Sequence, residues 1–168
     1  MTFQFRNVYW LWLTVLTLLL DQVSKQLVAK NMQLFDEIPL LPHLNLKRMH
    51  NTGAAFSMFS EASPLVFVAI GVVVSVGILI WLRRNPRGQT LVAVALALIM
   101  GGALGNVIDR VTRGYVVDFI DFYVGGWHFA AFNIADTAIS VGAGFMVLDM
   151  LLEMFRKKPQ AQPPAANG

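Results

Sequence analysis

The chain alternates between four long apolar stretches and shorter polar segments. Charged residues bound two uncharged stretches of 21 residues, at 62–82 and 88–108, and a membrane-spanning helix needs about 20 such residues. The stretch before Asp21 holds only 14 uncharged residues, and the last stretch is interrupted by Asp136. The first and fourth helices therefore reach spanning length only if these two acids lie at a membrane boundary. The predicted helices cover about residues 8–28, 62–82, 89–109 and 133–153.

The segments that follow the first and third helices have patterns typical of β-structure. Residues 44–47 alternate between apolar and polar side chains, which predicts a strand on the membrane surface. Residues 116–123 are rich in β-branched and aromatic side chains, and the two glycines at 125–126 predict a hairpin with a two-residue turn. Such a hairpin would return the chain from Asp118 towards Asp136. The predicted fold is an all-α membrane protein with four transmembrane helices, a small extracytoplasmic β-rich segment and a hairpin.

Composition supports a membrane protein and excludes several kinds of site. The 168 residues suit one domain, which we place at 1–158, and the Pro/Ala/Gln-rich segment at 159–168 is predicted to be a disordered cytoplasmic tail. The chain is 56% hydrophobic and 14% charged, against about 25% charged residues in a soluble domain. It has no cysteine, which excludes disulfides, thiolate metal sites and a cysteine nucleophile. Its basic residues form no continuous face, so we expect no nucleic-acid partner.

The distribution of charge predicts the orientation of the helices. With four spans, both termini lie on one side, together with the loop between the second and third helices. That side carries seven basic and two acidic residues, whereas the other side carries six basic and eight acidic residues. Because basic residues concentrate on the cytoplasmic side, we expect both termini in the cytoplasm. Three acids, Asp21, Asp118 and Asp136, then fall towards the outer face.

Asp118 and Asp136 are the first candidates for chemistry. Two neighbouring carboxyl groups share a proton, so that one activates water while the other protonates the leaving group. If Asn133 caps the fourth helix, Asp136 lies in its first turn, where the helix dipole favours the ionised form. The alternative is that Asp136 merely completes a helix cap and Asp118 is a surface acid. Asp121 also competes with Asp118, because the two face opposite sides of a strand and spacing does not choose between them.

Two further motifs have both a structural and a functional interpretation. Asp21 and Lys25 are four residues apart, which predicts an ion pair on one helix face. This pair either neutralises the end of the first helix or holds the architecture of an active site. Residues 51–56 combine Asn51 and Gly53 with small side chains, so the backbone there either approaches a ligand closely or simply turns back into the membrane.

The third helix ends in a glycine-rich motif with two polar residues. Gly101 and Gly105 are four residues apart, which indicates close helix packing. Asn106 lies one turn before Arg110 and needs a hydrogen-bond partner at that depth. Arg110 either grips a phosphate or peptide carbonyl or anchors the helix end.

Other common catalytic arrangements are not favoured. The three histidines lie in the predicted outer loops without metal-ligand spacing, and the zinc-protease motif His-Glu-x-x-His does not occur. Ser24 is adjacent to Lys25 and not a helical turn away, which makes a poor Ser–Lys dyad. The aspartates remain as the candidate reactive groups.

The chain resembles the lipoprotein signal peptidases, also called signal peptidase II. The resemblance runs from the first helix to the fourth and rests on five blocks in order: Asp21-Gln22-x-Ser24-Lys25, Asn51-Thr52-Gly53-Ala54-Ala55-Phe56, Gly101-Gly102-Ala103-x-Gly105-Asn106-x-x-Asp109-Arg110, Val116-Val117-Asp118-Phe119 and Phe132-Asn133-x-Ala135-Asp136.

This resemblance implies an aspartic-type endopeptidase of the bacterial inner membrane that needs no metal or cofactor. Its implied substrate is a diacylglyceryl-modified prolipoprotein, cut just before the lipid-modified cysteine near the periplasmic face. Membrane lipid is its other partner, and no obligate protein partner is expected. The resemblance makes Asp118 and Asp136 the catalytic pair. It gives supporting or substrate-contacting roles to Asn51, Gly53, Asn106, Arg110, Asn133, Asp21 and Lys25.

Three alternatives predict different arrangements of the acids. A small transporter or proton relay would use Asp21, Asp118 and Asp136 as carriers distributed across the membrane. A presenilin-type protease would carry Gly-x-Gly-Asp at one catalytic position, where this chain has 133–136 as Asn-Ile-Ala-Asp. A structural scaffold would give the outer acids no shared role.

Overall fold

The computed structural model describes residues 7–53, 61–86 and 88–155. Within these residues, four helices are long and apolar enough to cross a membrane. They are α1 (Leu11–Asn31), α2 (Pro64–Arg84), α3 (Thr90–Arg113) and α4 (Ile134–Phe155), and a short 3₁₀ turn precedes α1. The tail predicted at 159–168 and residues 54–56 of the small-residue motif lie outside the described residues.

The helices begin and end where local chemistry requires it. The hydroxyl of Ser63 accepts a hydrogen bond from the Leu65 N–H, and Pro64 occupies the first helical position of α2, where a missing N–H costs nothing. Gly114 adopts a left-handed conformation with φ of 80°, which ends α3. Helix α1 runs through Asp21 and Lys25 to Asn31, and both of these charged side chains are fully buried.

Helix α3 is the centre of the bundle, since α1, α2 and α4 all pack against it. Small residues permit the close approach. A Cβ at Gly102 would overlap the carbonyl oxygen of Ala135 in α4, and a Cβ at Gly71 of α2 would overlap the side chain of Val107. The packing role predicted for Gly101 is confirmed, because a Cβ there would lie 2.8 Å from the Cβ of Thr17 in α1.

The strands form a single antiparallel sheet in the order β1-β2-β3-β4. They are β1 (Glu37–Leu41), β2 (Leu44–Asn51), β3 (Val116–Val124) and β4 (Trp127–His128). The predicted turn at 125–126 joins β3 to β4, and the strand predicted at 44–47 is the first half of β2. The protein is therefore mainly helical, and its β-structure is a larger sheet than the strand and hairpin that the sequence predicted.

The sheet is attached to the bundle through β3. Val117 and Phe119 of β3 are buried against Val28 and Met32 at the end of α1. The side chain of Arg48 in β2 donates to the carbonyl oxygens of Ala29 and Met32, which satisfies two free groups at the end of that helix. The sheet therefore lies at the end of the bundle where α1 and α3 end and α4 begins.

Candidate active site

Asp118 and Asp136 are brought together by Asn133. The Nδ2 of Asn133 donates to Oδ1 of Asp118 at 2.7 Å, and its Oδ1 accepts the backbone N–H of Asp136 at 3.0 Å. The backbone N–H of Asn133 donates to Oδ2 of Asp136 at 3.3 Å. This reciprocal pattern is a helix cap, and the same asparagine also holds the acid on β3. The cap predicted at Asn133 is present, and it also brings the two carboxyl groups into one site.

Asn51 holds the other oxygen of Asp118. It is the last residue of β2, and the register places Met49 opposite Asp118. The Oδ1 of Asn51 accepts the backbone N–H of Gly53 at 3.0 Å, and its Nδ2 donates to Oδ2 of Asp118 at 3.0 Å. Because Oδ1 is held by a donor, the amide can only donate to the carboxyl group. Asp118 therefore receives an amide donor on each oxygen.

Asn106 of α3 makes the corresponding contact with Asp136. Its Nδ2 donates to Oδ1 of Asp136 at 2.8 Å, and its Oδ1 accepts from Nζ of Lys25 at 2.9 Å. Asn106, which the sequence predicted to need a hydrogen-bond partner, thus has two partners, Lys25 and Asp136. These two hydrogen bonds connect a buried lysine of α1 to the first turn of α4.

Burial and charge favour the protonated form of Asp118. The residue is 2% exposed. Burial, and after it the negative charge of Asp136, raise the pKa of Asp118 from 3.8 to about 7. The hydrogen bonds from Asn51 and Asn133, and the charge of Lys25, act in the opposite direction and only partly offset the rise. One proton is therefore available at the site near neutral pH.

A buried ionic cluster lies behind the two acids. The Nζ of Lys25 is 2.9 Å from Oδ2 of Asp21 and 3.2 Å from Oδ2 of Asp109, and all three side chains are fully buried. Oδ1 of Asp21 accepts the backbone N–H of Ala135 at 2.9 Å. Asp109 also binds Arg113 and accepts the backbone N–H of Val117. The predicted Asp21–Lys25 pair is present, and it joins α1, α3, β3 and α4.

Asp109 had no predicted role, although the sequence contained a signal for it. Its spacing of four residues to Arg113 indicates an ion pair on the same helix face, as Asp21 and Lys25 do on α1. That pattern gives no indication of the contact with Lys25. The contact depends on how α1 and α3 are rotated against each other.

Arg110 adds positive charge beside the two acids. Its Nη2 donates to the carbonyl oxygen of Gly53 at 2.5 Å, and its Nη1 donates to the carbonyl oxygen of Asn106 at 3.3 Å. The guanidinium lies 4.7 Å from the centre of the Phe67 ring. Its Nε is buried without a hydrogen-bond partner among the residues described. Arg110 therefore connects α3 to the turn after β2.

A cavity of about 1010 Å³ contains both acids. The sheet forms one wall through Asn51 and Asp118, and the start of α4 forms another through Asp136 and Ile139. Phe67 of α2 closes a third side. The cavity thus lies between α2 and α4, over the face of α3 that carries Asn106 and Arg110. Asp21 is not among its lining residues, which argues against a carrier role shared by all three acids.

Asp121 lines the same cavity but binds different partners. Its carboxyl group accepts from Nδ2 of Asn45 at 3.1 Å and lies 2.9 Å from Nδ1 of His128. Asn45 is its direct neighbour across the sheet, and Met49 is the neighbour of Asp118. Although both acids line the cavity, Asp118 contacts the Asn133 cap and Asp121 stabilises the hairpin.

The histidines of the sheet make ring and charge contacts with neighbouring residues. His50 stacks on Tyr115, with ring centres 3.7 Å apart, while His128 pairs with Asp121. Burial and the charges of Arg48 and Arg113 hold the pKa of His50 below its usual value of 6.5. Across the described ranges, no three His, Cys, Asp or Glu side chains are arranged to hold a metal ion.

The sequence matches known proteins along most of its length. The family model described as signal peptidase (SPase) II matches residues 13–152. A lipoprotein signal peptidase of Alteromonas mediterranea is 49% identical over 151 residues, which are 88% of this chain and 83% of the relative. A lipoprotein signal peptidase of Escherichia coli O157:H7 is 48% identical over 152 residues, with 89% and 93% covered.

Two solved structures share the fold. Both are described as bacterial membrane enzymes determined by the in meso method, one at 2.3 Å and one at 1.9 Å resolution. The first superimposes with a TM-score of 0.84 at 31% identity over 92% of this chain and 94% of the other. The second gives a TM-score of 0.77 at 33% identity over 85% and 92%. The helical bundle and its sheet are thus an arrangement found in bacterial membrane enzymes.

Proposed function

The chain belongs to the signal peptidase II family of aspartic-type proteases, which remove signal peptides from prolipoproteins, and we propose that Asp118 and Asp136 are the carboxyl pair that cleaves the peptide bond. The observation that carries the proposal is the pair's shared contact with Asn133 inside the cavity. Two carboxyl groups in one buried site titrate as a coupled pair, which is the arrangement that acid–base hydrolysis requires.

The contacts of the two acids support different roles. Asp118, with a pKa of about 7, holds the proton and polarises the carbonyl of the scissile bond. Asp136 lies in the first turn of α4, where backbone N–H groups and the Asn106 amide favour its ionised form. Ionised Asp136 takes a proton from water, and the resulting hydroxide attacks the carbonyl. Asp118 then delivers its proton to the leaving amine, and the peptide bond breaks.

The surrounding residues position this pair or the substrate. Asn51 and Asn133 hold the two oxygens of Asp118, and Asn106 holds Asp136. Gly53 supplies the N–H that orients Asn51 and the carbonyl that receives Arg110. Because Arg110 lines the cavity beside the two acids, we assign its guanidinium group to a peptide carbonyl of the bound substrate.

The cavity has the shape and chemistry for a lipid-anchored peptide. The carboxyl pair lies where the sheet meets the bundle, and apolar side chains of α2 and α4, such as Phe67 and Ile139, line the adjoining wall. A diacylglyceryl group on the substrate cysteine would occupy this apolar region. Its peptide would extend along the sheet and reach the acids at the bond before that cysteine. This is the proposed basis for selecting diacylglyceryl-modified prolipoproteins.

The protein is a multi-pass bacterial membrane protein. The distribution of basic residues supports an inner-membrane orientation with both termini in the cytoplasm. The sheet and the carboxyl pair would then lie at the periplasmic face. This is the side on which a translocated prolipoprotein presents its signal-peptide junction.

The test is cleavage of a diacylglyceryl-modified prolipoprotein by the purified protein. Asp118→Asn and Asp136→Asn are each expected to reduce the rate by at least about 10³-fold, because removing one of two catalytic groups stops the proton transfers. Asp149→Asn, near the far end of α4, is the matched control and should retain full activity. Addition of EDTA should leave the rate unchanged. Cleavage that survives either change at the pair, or equal cleavage of an unlipidated substrate, contradicts the proposal.

A further inference from the structure

Lys25 is surrounded by as many acceptors as it has protons to donate. An ammonium group carries three N–H donors and no acceptor. Its three contacts are Oδ2 of Asp21 at 2.9 Å, Oδ1 of Asn106 at 2.9 Å and Oδ2 of Asp109 at 3.2 Å. The side chain is fully buried, so water does not compete for these donors. Each N–H group of Lys25 therefore has its own acceptor.

This arrangement determines which way the amide of Asn106 faces. A primary amide has one oxygen that accepts and one nitrogen that donates, and rotation by 180° exchanges them. Because Lys25 cannot accept a hydrogen bond, only the oxygen of Asn106 can face it. The nitrogen must then face Asp136, where it lies 2.8 Å from Oδ1. Lys25 thus makes Asn106 a donor to the carboxyl group.

The other two asparagines of the site are oriented in a different way. The backbone N–H of Gly53 fixes the amide of Asn51, and the backbone N–H of Asp136 fixes that of Asn133. These backbone donors are part of the fold and do not depend on one side chain. The orientation of Asn106 depends instead on a single charged side chain, and substitution can remove it.

The charges around Lys25 balance, which limits its direct field at the acids. Asp21 and Asp109 carry two negative charges, and Lys25 and Arg113 carry two positive charges. The fields of these charges partly cancel at the two acids, although the charge of Lys25 still lowers the pKa of Asp118. Asn106 is the hydrogen-bonded link between the cluster and Asp136.

We propose that Lys25 is a positioning residue of the peptidase, which acts through Asn106 to keep a hydrogen-bond donor on Asp136 and so maintains it as the ionised member of the pair. The inference rests on the catalytic roles proposed above for Asp118 and Asp136. Lys25 itself does not line the cavity and does not touch the substrate. Loss of Lys25 is therefore expected to change kcat and the position of the acidic limb of the pH–rate profile.

Several charged groups face Asp118 and Asp136 and affect the pH dependence of the rate. Asp118 of β3 acts on Asp136, and Arg110 of α3 acts on both acids. The other titratable groups that line the cavity are Lys47, His50, Asp121 and His128. Lys25 acts from α1 on the side opposite the cavity. The variants below leave Arg110, Asp118 and His50 in place. Because Lys25 also acts on Asp118 through its charge, Asn106→Ala, which keeps Lys25, reports on the Lys25–Asn106 link without a change of charge.

The test is a double-mutant cycle between Lys25→Met and Asn106→Ala, with kcat and KM measured as a function of pH on the lipid-modified substrate. Each single change is expected to lower kcat about 100-fold with little change in KM, which is a typical loss for one oriented donor. The acidic limb should move to higher pH in both. The double variant should be no slower than the slower single variant, because the two residues act in series.

Folding of the variants needs its own control. Lys25→Met leaves two buried carboxylates with one cation, and this imbalance can prevent folding. The pair Asp21→Asn/Lys25→Met keeps the cluster neutral and still lacks the donor that orients Asn106, so it should show the same loss of kcat and the same shift. Its reference is Asp21→Asn alone. Lys30→Met, at an exposed position of the same helix, should behave as the wild type.

Asn106→Asp supplies a further arm that leaves the ionic cluster complete. Aspartate can accept from Lys25 and cannot donate to Asp136 when ionised, so its kcat should fall at least as far as that of Asn106→Ala. Additive losses in the cycle would overturn the proposal, and so would a folded Lys25 variant with an unshifted acidic limb. If those results appear while Asp136→Asn is inactive, the positioning role is wrong and the carboxyl pair stands.

Discussion

The side-chain nitrogen of Asn51 lies 3.0 Å from Oδ2 of Asp118, and the Gly53 N–H prevents the amide from turning round. A donor fixed in this way favours the ionised carboxylate and lowers the pKa of Asp118. It opposes the larger effects of burial and of Asp136, which together leave that pKa at about 7. Asn51 therefore lowers the upper pH at which Asp118 still carries its proton.

The pH dependence of cleavage should show these opposing effects on the pKa of Asp118. If protonated Asp118 is the general acid, kcat/KM of the wild type should fall above about pH 7. Asn51→Ala removes a donor that lowers the pKa of Asp118, so the alkaline limb should move to higher pH, with a lower maximum rate. Asn45→Ala, which loses a contact to Asp121, is the control and should leave the limb in place. An unshifted limb in Asn51→Ala would contradict this role.

Stability should also depend on the protonation of Asp118. Its pKa is 3.8 when unfolded and about 7 when folded, so the folded state keeps a proton that the unfolded chain has released. The free energy of unfolding should therefore fall as pH rises from about 4 to about 7, by up to about 4 kcal/mol, and change no further above that. Asp118→Asn should lack this decrease. Thermal unfolding in detergent between pH 5 and 8 measures it, and parallel curves for the two proteins would refute it.

Substitution of Asp121 should separate stability from catalysis. Asp121→Asn loses one charge-assisted contact to Asn45 or His128, at a cost of about 1.5–3 kcal/mol to the stability of the sheet. Cleavage should stay within about threefold of wild type, because Asp121 does not contact the Asn133 cap. A loss of kcat as large as that of Asp118→Asn would show that the wrong acid of β3 has been assigned.

Close packing at Gly105 should be essential for the ionic cluster. A Cβ at this position would overlap Oδ2 of Asp21, which also binds Lys25. Gly105→Ala should therefore reduce the yield of folded protein and lower the unfolding temperature by at least about 5 °C. Gly77→Ala is the matched control, because a Cβ there has no neighbour within 4 Å. Equal unfolding temperatures for the two variants would show that α3 can move to accommodate the methyl group.

The sequence predicted the parts of the site that depend on local patterns. The charges that interrupt the first and fourth stretches located Asp21 and Asp136, and the hairpin pattern supplied the path that brings Asp118 to the start of α4. Spacing left Asp121 as an alternative, because strand alternation separates the two acids without saying which side faces α4. In the structure the Asn133 amide donates to Asp118, whereas Asp121 accepts from Asn45.

The sequence patterns did not predict the contacts between helices and strands. That Asn106 needs a partner follows from its depth in the membrane. That its partners are Lys25 and Asp136 follows from the rotation of three helices about their axes. The extent of the sheet was also not predictable, since all five residues of β1 are exposed and show no alternation of burial. Helix packing and strand pairing, which are tertiary properties, account for what was missed.

The position of the cavity between α2 and α4 has a consequence for how substrate arrives. A molecule anchored in the same bilayer can reach Phe67 and Ile139 by moving sideways through the lipid, without crossing water. The anchored substrate then diffuses in two dimensions. Its rate of encounter with the enzyme depends on the number of substrate molecules per unit area of membrane. Saturation should accordingly follow the mole fraction of substrate in the detergent micelle or vesicle. Diluting the same micelles in more buffer should leave the rate per enzyme nearly constant.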